Sequence, residues 1–584
     1  MAKIPELHER LLKMFDESNN VKTLIAKERG WDSASDLIRG KQLPANRPDY
    51  KPEAVLNLLR PLIERKSAML TDTKPRFTIQ PTKKGDGHAA AAKLLDETAN
   101  AWWDDSCVDL SLMRGSIYAQ AFGTMITQLR WSLTQKDAVL DIIDPRNFYV
   151  DPYILTSDQL ANAEYVILEE TPPLEEVKMM FPKTSGTVQA YFPPAQSKDG
   201  WVSRVVQRVT GPFRQRTETT AIPRALLRHY WVKDYAFEDV EVKKAESDQP
   251  PMTVRRRLYP GGRYIVWAFG GEGGTILHDK PNPYADLVHP FDMMDWYMDL
   301  DGPWGDSEVQ THRSPQFMLN KVAESVIENA MLMNNAIWIA DKTAFPATEG
   351  PDGWGQLRNA PGAIIKKRPG TEVRREYPGG LPGSVMQLMT YLQTFIEAHG
   401  GGLPDILSRG KAGNVQSGLG IEQLQMSASA MIRLKARALE NLIQRIGQKY
   451  VSRVFQFYPK ERVFHIRGPG GEFAQFVFMK DQLRQALGTE ALQDFQRDFR
   501  FRVMPGSSLA MTKIQKGLVA LQLYQAGAID RQALLESIEW PDWERVLQRT
   551  KLEQAMGLEP AGGQKKSKRG YGPQERQAKI AGRI

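Results

Sequence analysis

Gly400-Gly-Gly-Leu-Pro-Asp-Ile-Leu-Ser-Arg-Gly-Lys-Ala-Gly-Asn-Val-Gln-Ser-Gly-Leu-Gly420 runs directly into a long amphipathic stretch that ends at Tyr458. Seven glycines in twenty-one positions, without an amphipathic period, read as a mobile loop. From Ile421 the pattern changes: Leu424, Ala428, Met431, Ile432, Leu439, Leu442, Ile446, Tyr450 and Val454 recur at three- and four-residue steps. That spacing predicts a helix with one buried face, and no proline interrupts it before Pro459. At about 1.5 Å per residue the helix is a rod of roughly 50 Å. Arg433, Arg437, Arg445, Lys449 and Arg453 lie on a four-residue step, with Asn441 in the gap. Four residues turn by about 400°, so the row winds slowly round the rod. It reads either as a solvated face or as a contact with copies of the same helix.

Composition bounds what surrounds this rod. The chain has 584 residues, ordinary globular composition and a formal net charge of +8. Residues 564–584 carry seven Lys or Arg against one Glu. The body is therefore nearly neutral and offers no bulk basic surface for nucleic acid. The single cysteine, Cys107, excludes an internal disulfide framework and is expected to be packed. No signal peptide and no apolar run approaching about 18 residues is present, so no export or bilayer insertion is expected.

Upstream of the loop the chain opens with helical patterning over Pro5–Arg29 and Pro52–Leu70, then a short strand, Arg76–Gln80. A single helical stretch is expected over Ala89–Gln120, with Trp102 and Trp103 in the core. Gly123–Trp131 and Ala138–Ile143 read as a hairpin leading into the turn Asp144-Pro-Arg-Asn-Phe-Tyr-Val-Asp-Pro152. Further strands are expected at Tyr165–Glu169, Trp201–Val209, Ala225–Val232 and Thr253–Leu258, the last pairing with Arg263–Phe269 across Pro260-Gly-Gly262. The first half thus reads as an α+β domain. Ser314-Pro315 predicts a helix start, with the helix continuing to about Asn334. Ile337–Pro382 is a compact insertion with short strands at Ile337–Ile339 and Ala363–Ile365. It carries the basic residues Lys366, Lys367, Arg368, Arg374 and Arg375, read as a solvated edge or a contact for an acidic partner. Ser384–His399 is helical again, and after Pro459 come short strands, helices from Lys480 and from Thr512 to about Met556, and a basic tail.

Catalytic motifs are sparse. Gly410-Lys411 lacks the phosphate-loop pattern, because Asp405 and Ala412 stand where glycine and Ser or Thr are required. Neither His-Glu-x-x-His nor Gly-x-Ser-x-Gly occurs. Asp292, Asp295, Asp299, Asp301 and Asp306 concentrate acid without the spacing of a calcium loop. Asp234, Glu241 and Lys243 superficially suit a metal-dependent nuclease.

The order of elements resembles the portal, or head-to-tail connector, proteins of tailed bacteriophages. The resemblance rests on Thr73-Lys-Pro-Arg-Phe-Thr-Ile79, Ala121-Phe-Gly123, Asp144-Pro-Arg-Asn-Phe148, Trp304-Gly-Asp-Ser307 with Gln316 and Asn320, Gly402-Leu-Pro404, and Ser417-Gly418 with the helix behind it. It implies a portal-like α+β fold: an N-terminal helical segment (1–51), an α+β wing (52–301), stem helices (302–336 and 383–400) and a small β-containing clip (337–382). A tunnel loop (401–420), a long helix with strands (421–479), a helical crown (480–560) and a basic tail (561–584) follow. It further implies a ring, typically of twelve subunits, around a channel for double-stranded DNA. The implied partners are the terminase packaging ATPase, major capsid or scaffolding protein, and tail or adaptor proteins. No cofactor, metal or membrane is implied, and the expected location is the virion after assembly in the host cytoplasm. By the same resemblance Arg409, Lys411, Asn414, Gln416 and Ser417 line the channel, where few cations per loop would let DNA slide. The cations Arg433 to Arg453 would then face neighbouring subunits. A metal-dependent DNA-processing enzyme and a non-portal structural virion protein are the rival expectations.

Overall fold

The computed structural model describes residues 4–44, 48, 51–71, 74–191, 222–242, 252–270, 273–334, 336–345, 364–377, 379–399, 418–467, 473–487 and 497–504, with 520–521, 523–524, 526–537 and 546. The chain divides into two units, Met1–Arg462 with Val477–Leu509, and Val463–Phe476 with Ala510–Ile584.

The first unit begins with α1 (Ile4–Glu28), α2 (Trp31–Ile38), α3 (Leu59–Thr71) and β1 (Phe77–Pro81). The expected single helix over Ala89–Gln120 is two helices, α4 (Asp86–Asp105) and α5 (Val108–Phe122). Cys107 separates them with a left-handed backbone, φ 48°. A non-glycine residue in that conformation ends a helix but announces nothing in the sequence. Cys107 is also exposed, not packed as expected.

Three- and five-stranded antiparallel sheets follow. β2 (Thr124–Ser132) and β3 (Asp137–Ile143) form the expected hairpin, joined by β11 (Phe291–Asp295) in the order β11-β2-β3. The larger sheet uses β4 (Phe148–Val150), β5 (Tyr165–Glu170), β6 (Leu227–Val232), β9 (Arg263–Ala268) and β10 (Thr275–Pro281), ordered β10-β9-β6-β5-β4. Between them lie α6 (Leu174–Met180) and a separate hairpin, β7 (Phe237–Val242) with β8 (Met252–Arg257). β8 therefore pairs with β7, and β9 with β6 and β10, against the expected β8–β9 hairpin. Trp201–Val209 lies outside the described residues.

α7 (Glu308–Asn334) starts earlier than Ser314-Pro315 suggests. Ser307 caps it by accepting the Gln310 N–H at 2.9 Å, and Pro315 lies inside the helix. α7 leads through β12 (Ile337–Ala340) and β13 (Val373–Glu376), which pair with each other, to α8 (Gly383–His399). The strand that pairs with β12 is Val373–Glu376; of the strand expected at Ala363–Ile365, Ile364 and Ile365 are not in a strand and Ala363 lies outside the described residues. α7 and α8 pack together, and Asn329 reaches the Gly379 carbonyl at 3.3 Å, so the insertion returns the chain to the helix it left.

α9 (Gly418–Phe457) is the long helix, followed by β14 (Glu461–Arg467), β15 (Phe473–Met479), α10 (Lys480–Leu487) and β16 (Phe499–Val503), which pairs with β1. Of the second unit the described elements are parts of β14 and β15, and α11 (Arg531–Ser537). The rest of the helix expected over Thr512–Met556 lies largely outside the described residues.

Packing follows the periodicity. Leu7, Leu11 and Phe15 of α1 bury against Tyr149, Tyr165, Ile167, Tyr230 and Trp267 of the large sheet. Trp31, Phe122, Ile126, Phe148, Phe291, Met293, Trp304 and Val309 form a second core joining α2, α5, both sheets and the start of α7. Ile432, Leu439, Leu442, Ile446, Tyr450 and Val454 of α9 are buried, and each such side chain contributes about 1.5–3 kcal/mol. Trp102 stacks on Tyr450 with ring centroids 4.2 Å apart.

The turns Ala121-Phe-Gly123 and Trp304-Gly-Asp-Ser307 cross at their glycines. Gly123 has φ +89°, and a methyl there would overlap the Gly305 carbonyl, while a methyl on Gly305 would meet the Gly123 and Tyr297 carbonyls. Gly123→Ala is expected to lower stability in urea by on the order of 3 kcal/mol. Gly186→Ala, with nothing within 4 Å, should change it by less than about 0.5 kcal/mol. Equal midpoints for the two variants would contradict the crossing.

Candidate functional site

The first half of the chain and the long helix meet along a seam of charge. β11 is the end strand of its sheet, so one side of its backbone lacks a strand partner. α9 supplies it with cations instead. Lys449 donates to the Phe291 carbonyl at 2.6 Å and pairs with Asp292 at 2.8 Å. Arg445 donates to the Met293 carbonyl and approaches Asp292 at 3.5 Å. Arg453, fully buried, pairs with Asp286 at 2.7 Å and lies 3.6 Å over the Tyr284 ring. Lys435 donates to the Trp296 carbonyl, and Gln456 closes the far end on Pro283 and Ala285. Burial pushes the Lys449 ammonium down and the Asp292 carboxyl up, and their mutual attraction opposes both shifts.

A second buried cluster sits where α7 begins. Glu308 pairs with Lys66 at 2.8 Å and His312 at 3.1 Å, and accepts from Trp296 Nε1 at 2.8 Å and Tyr297 OH at 3.0 Å. Burial opposes the Glu308 charge, but Lys66, His312 and these hydrogen bonds outweigh it and hold the carboxyl below its usual range. Nearby, burial lowers the Lys435 ammonium to about 8 and raises the Asp295 carboxyl to about 7. Arg29 anchors the turn before α7 through the Trp304 and Gly305 carbonyls, Asp299 at 2.5 Å and Asp306 at 3.1 Å.

The expected sites resolve unevenly. Arg409, Lys411, Asn414, Gln416 and Ser417 lie outside the described residues. Of the α9 row, Arg433 and Arg437 are exposed, and Arg445, Lys449 and Arg453 pair with Asp292 and Asp286 of the same chain. Lys366, Lys367 and Arg368 are exposed, with Lys367 donating to the Thr371 carbonyl at 2.8 Å. Arg374 lies 3.9 Å from Glu372 and 3.8 Å from Glu376, and Arg375 covers Trp338 at 4.3 Å. The acidic run disperses, with Asp292 held by α9, and Asp299 and Asp306 by Arg29. Among the described residues no three His, Cys, Asp or Glu side chains are grouped to hold a metal. Asp234 is paired with Arg263 at 3.2 Å, and Lys243 lies outside the described residues.

Sequence reasoning missed Lys66, Glu308, Lys435 and Asp286 as partners. Only the acidic N1 position of Glu308 after Ser307 carried a local signal. Gln316 and Asn320, by contrast, stand out as amides on a buried helix face. Gln316 brackets Leu56 and Leu58 at 2.7 and 3.2 Å, while Asn320 accepts from Leu56 N–H at 3.0 Å and donates to Gln42 at 2.6 Å.

The chain is an α+β protein in which cations of the long helix meet a strand edge and a helical hairpin carries a small β insertion. The sequence matches the family model for the phage P22-like portal protein over residues 29–581, and the chain belongs to that family. A comparison with curated proteins gives no match. No helix among the described residues is long and apolar enough to cross a membrane.

Two measurements probe the seam. Lys449→Met leaves buried Asp292 with only the more distant Arg445, 3.5 Å away, and is expected to cost about 3 kcal/mol, whereas adding Asp292→Leu should recover much of it. Additive losses in the double variant would show that the two are not coupled. Asp295 titrates at about 7 in the folded chain against 3.8 for the unfolded group. The folded state holds more protons between these values, so its stabilising effect is full below the lower one and lost as pH rises through 7. Asp295→Asn should therefore gain on the wild type at pH 8 by on the order of 2 kcal/mol, and gain less at pH 5. A pH-independent difference would contradict this assignment.

Proposed function

We propose that this portal-family chain assembles into a ring, with twelve copies, at one vertex of a phage capsid. The ring forms the channel through which double-stranded DNA enters and leaves, and it docks the packaging ATPase on one side of assembly and tail proteins later. In this reading residues 52–301 are the wing, α7 and α8 the stem, 337–382 the clip, 401–420 the tunnel loop and 480–560 the crown. Residues 421–479 hold the long helix with its following strands.

The observation that carries the reading is the surface of the α7–α8 hairpin. Met318, Ile327, Met331, Leu332 and Met333 of α7, and Met386, Leu388 and Tyr391 of α8, are exposed in the single chain. Such side chains stand in water on a single subunit, and neighbouring copies of the same hairpin would cover them. The small clip supports the same reading, because Ile337 and Ile339 are exposed on one face of a two-stranded sheet that is marginal alone. Arg409 and Lys411 give each tunnel loop two cations, enough to follow phosphate without holding it.

Negative-stain electron microscopy with native mass of the full-length protein is the first test. Rings with an axial hole and a mass near twelve subunits are expected; compact dimers or monomers at micromolar concentration would overturn the reading. In assembled particles, Arg409→Ala with Lys411→Ala should leave rings intact and change the rate or completeness of DNA packaging. Unchanged packaging would remove these residues from the channel.

A further inference from the structure

α1 does more than cover the large sheet. Its residues precede the family-matched span, which begins at residue 29. Val21 and Ile25 of α1, with Pro152 and Pro303, line a shallow groove between the helix and the turn that precedes α7. Leu24, Tyr153 and Leu300, each next in sequence to a lining residue, are exposed, Leu300 being 87% exposed. The rim is acidic. Arg29 engages Asp299 and Asp306, but Glu28 and Asp301 are exposed and form no ion pair among the described residues.

The complement lies on the outward face of α9. Leu434 is 66% exposed, in a helix whose other described leucines, Leu439 and Leu442, are buried. Arg433 precedes it and Arg437 follows three residues later, both exposed. Leu434, Arg437, Asn441 and Gln444 form one exposed stripe at three- and four-residue spacing. An apolar knob between two cations matches an apolar groove with an acidic rim in shape class and in charge.

We infer that the α1 groove receives Leu434, with Arg433 and Arg437, from α9 of a second copy of this chain. A ring closes through two different surfaces of one subunit, and these two surfaces differ in the required way. Leu434 enters among Val21, Leu24 and Leu300, while the arginines meet Glu28 and Asp301. Arg445, Lys449 and Arg453 join the helix to its own sheet, and the exposed Arg437 reaches the neighbour beside Leu434. The inference rests on the ring proposed above.

Cross-linking tests it on the full-length chain. With Cys107→Ser as background, Leu24→Cys and Leu434→Cys together, treated with a short bismaleimide, should give a ladder of covalent oligomers ending at the ring number. Either cysteine alone should give no ladder beyond a dimer. A bridge within one chain, or no ladder, overturns the inference. Charge reversal supplies a second readout: Asp301→Arg should lower the assembled fraction about tenfold, and Arg437→Asp in the same chain should restore it. Assembly of Asp301→Arg at the wild-type level also overturns it. Rings in the microscope without the ladder leave the portal reading standing and remove this contact. A ladder from particles with no axial hole keeps the contact and removes the ring, and the absence of any assembly removes both.

Discussion

A β-strand at the end of a sheet presents N–H and C=O groups that must find partners, and this chain satisfies them repeatedly with side chains from helices. β4 ends the large sheet, and α1 covers it: Lys22 donates to the Arg146 and Phe148 carbonyls at 2.8 and 2.5 Å, and Ser18 to Val150 at 2.7 Å. β11 ends the smaller sheet and receives Lys449 and Arg445. β16 receives the amide of Gln448, which donates to the Phe499 carbonyl at 3.0 Å and accepts from Phe501 N–H at 3.2 Å. Even the extended segment before α3 is treated this way, by Gln316 and Asn320. Sheets so small would otherwise expose pairing edges to any neighbouring chain.

The choice of cations for β11 has a second effect. A buried lysine or arginine carries a large desolvation cost, offset here by a carboxylate and a carbonyl together. Apolar contact could hold α9 against the sheet as firmly. It would not fix the register, whereas successive side chains along α9 meet successive points on the strand and its flanks, from Lys435 at Trp296 through Arg445 at Met293 and Lys449 at Phe291 to Gln456 at Pro283. Helix and strand therefore run in fixed opposition, and the helix leaves the sheet at a set place. Gly447 lets the backbone of α9 approach the Phe501 ring, where a methyl would collide with it.

Much of this was legible in the residues. The three- and four-residue period of α9 is matched by burial of Ile432, Leu439, Leu442, Ile446, Tyr450 and Val454, and the β2–β3 hairpin stands where alternation placed it. The motif Trp304-Gly-Asp-Ser307 marks a real junction, because its glycine crosses Gly123 and its serine caps α7. Partnership across long separations was not legible. The four-residue cation step could be seen, but nothing local says that Lys449 answers Asp292, 157 residues away. β8 was assigned to the wrong neighbour because Pro260-Gly-Gly262 looks like a hairpin turn, while the true partner lies across a longer connection. The α4–α5 corner escaped notice because Cys107 adopts a backbone usually left to glycine. Of the candidate site, the cation row of α9 is legible from spacing but not which of its members are exposed, and the groove needs three distant segments brought together.

The pairing of β1 with β16 sets an order in time. Thr82 donates to the Asp498 carbonyl across 416 residues of chain, and Phe77 stands opposite Val503. During synthesis β1 leaves the ribosome long before its partner exists, so the α4–β1 corner waits with one edge open while everything between is made. A chain cut short before β16 cannot close that corner, and α9 then loses the strand that Gln448 and Gly447 were shaped to meet. Closure of that corner thus reports that synthesis has passed Val503, and products cut short before β16 are marked by an unfinished sheet beneath the long helix.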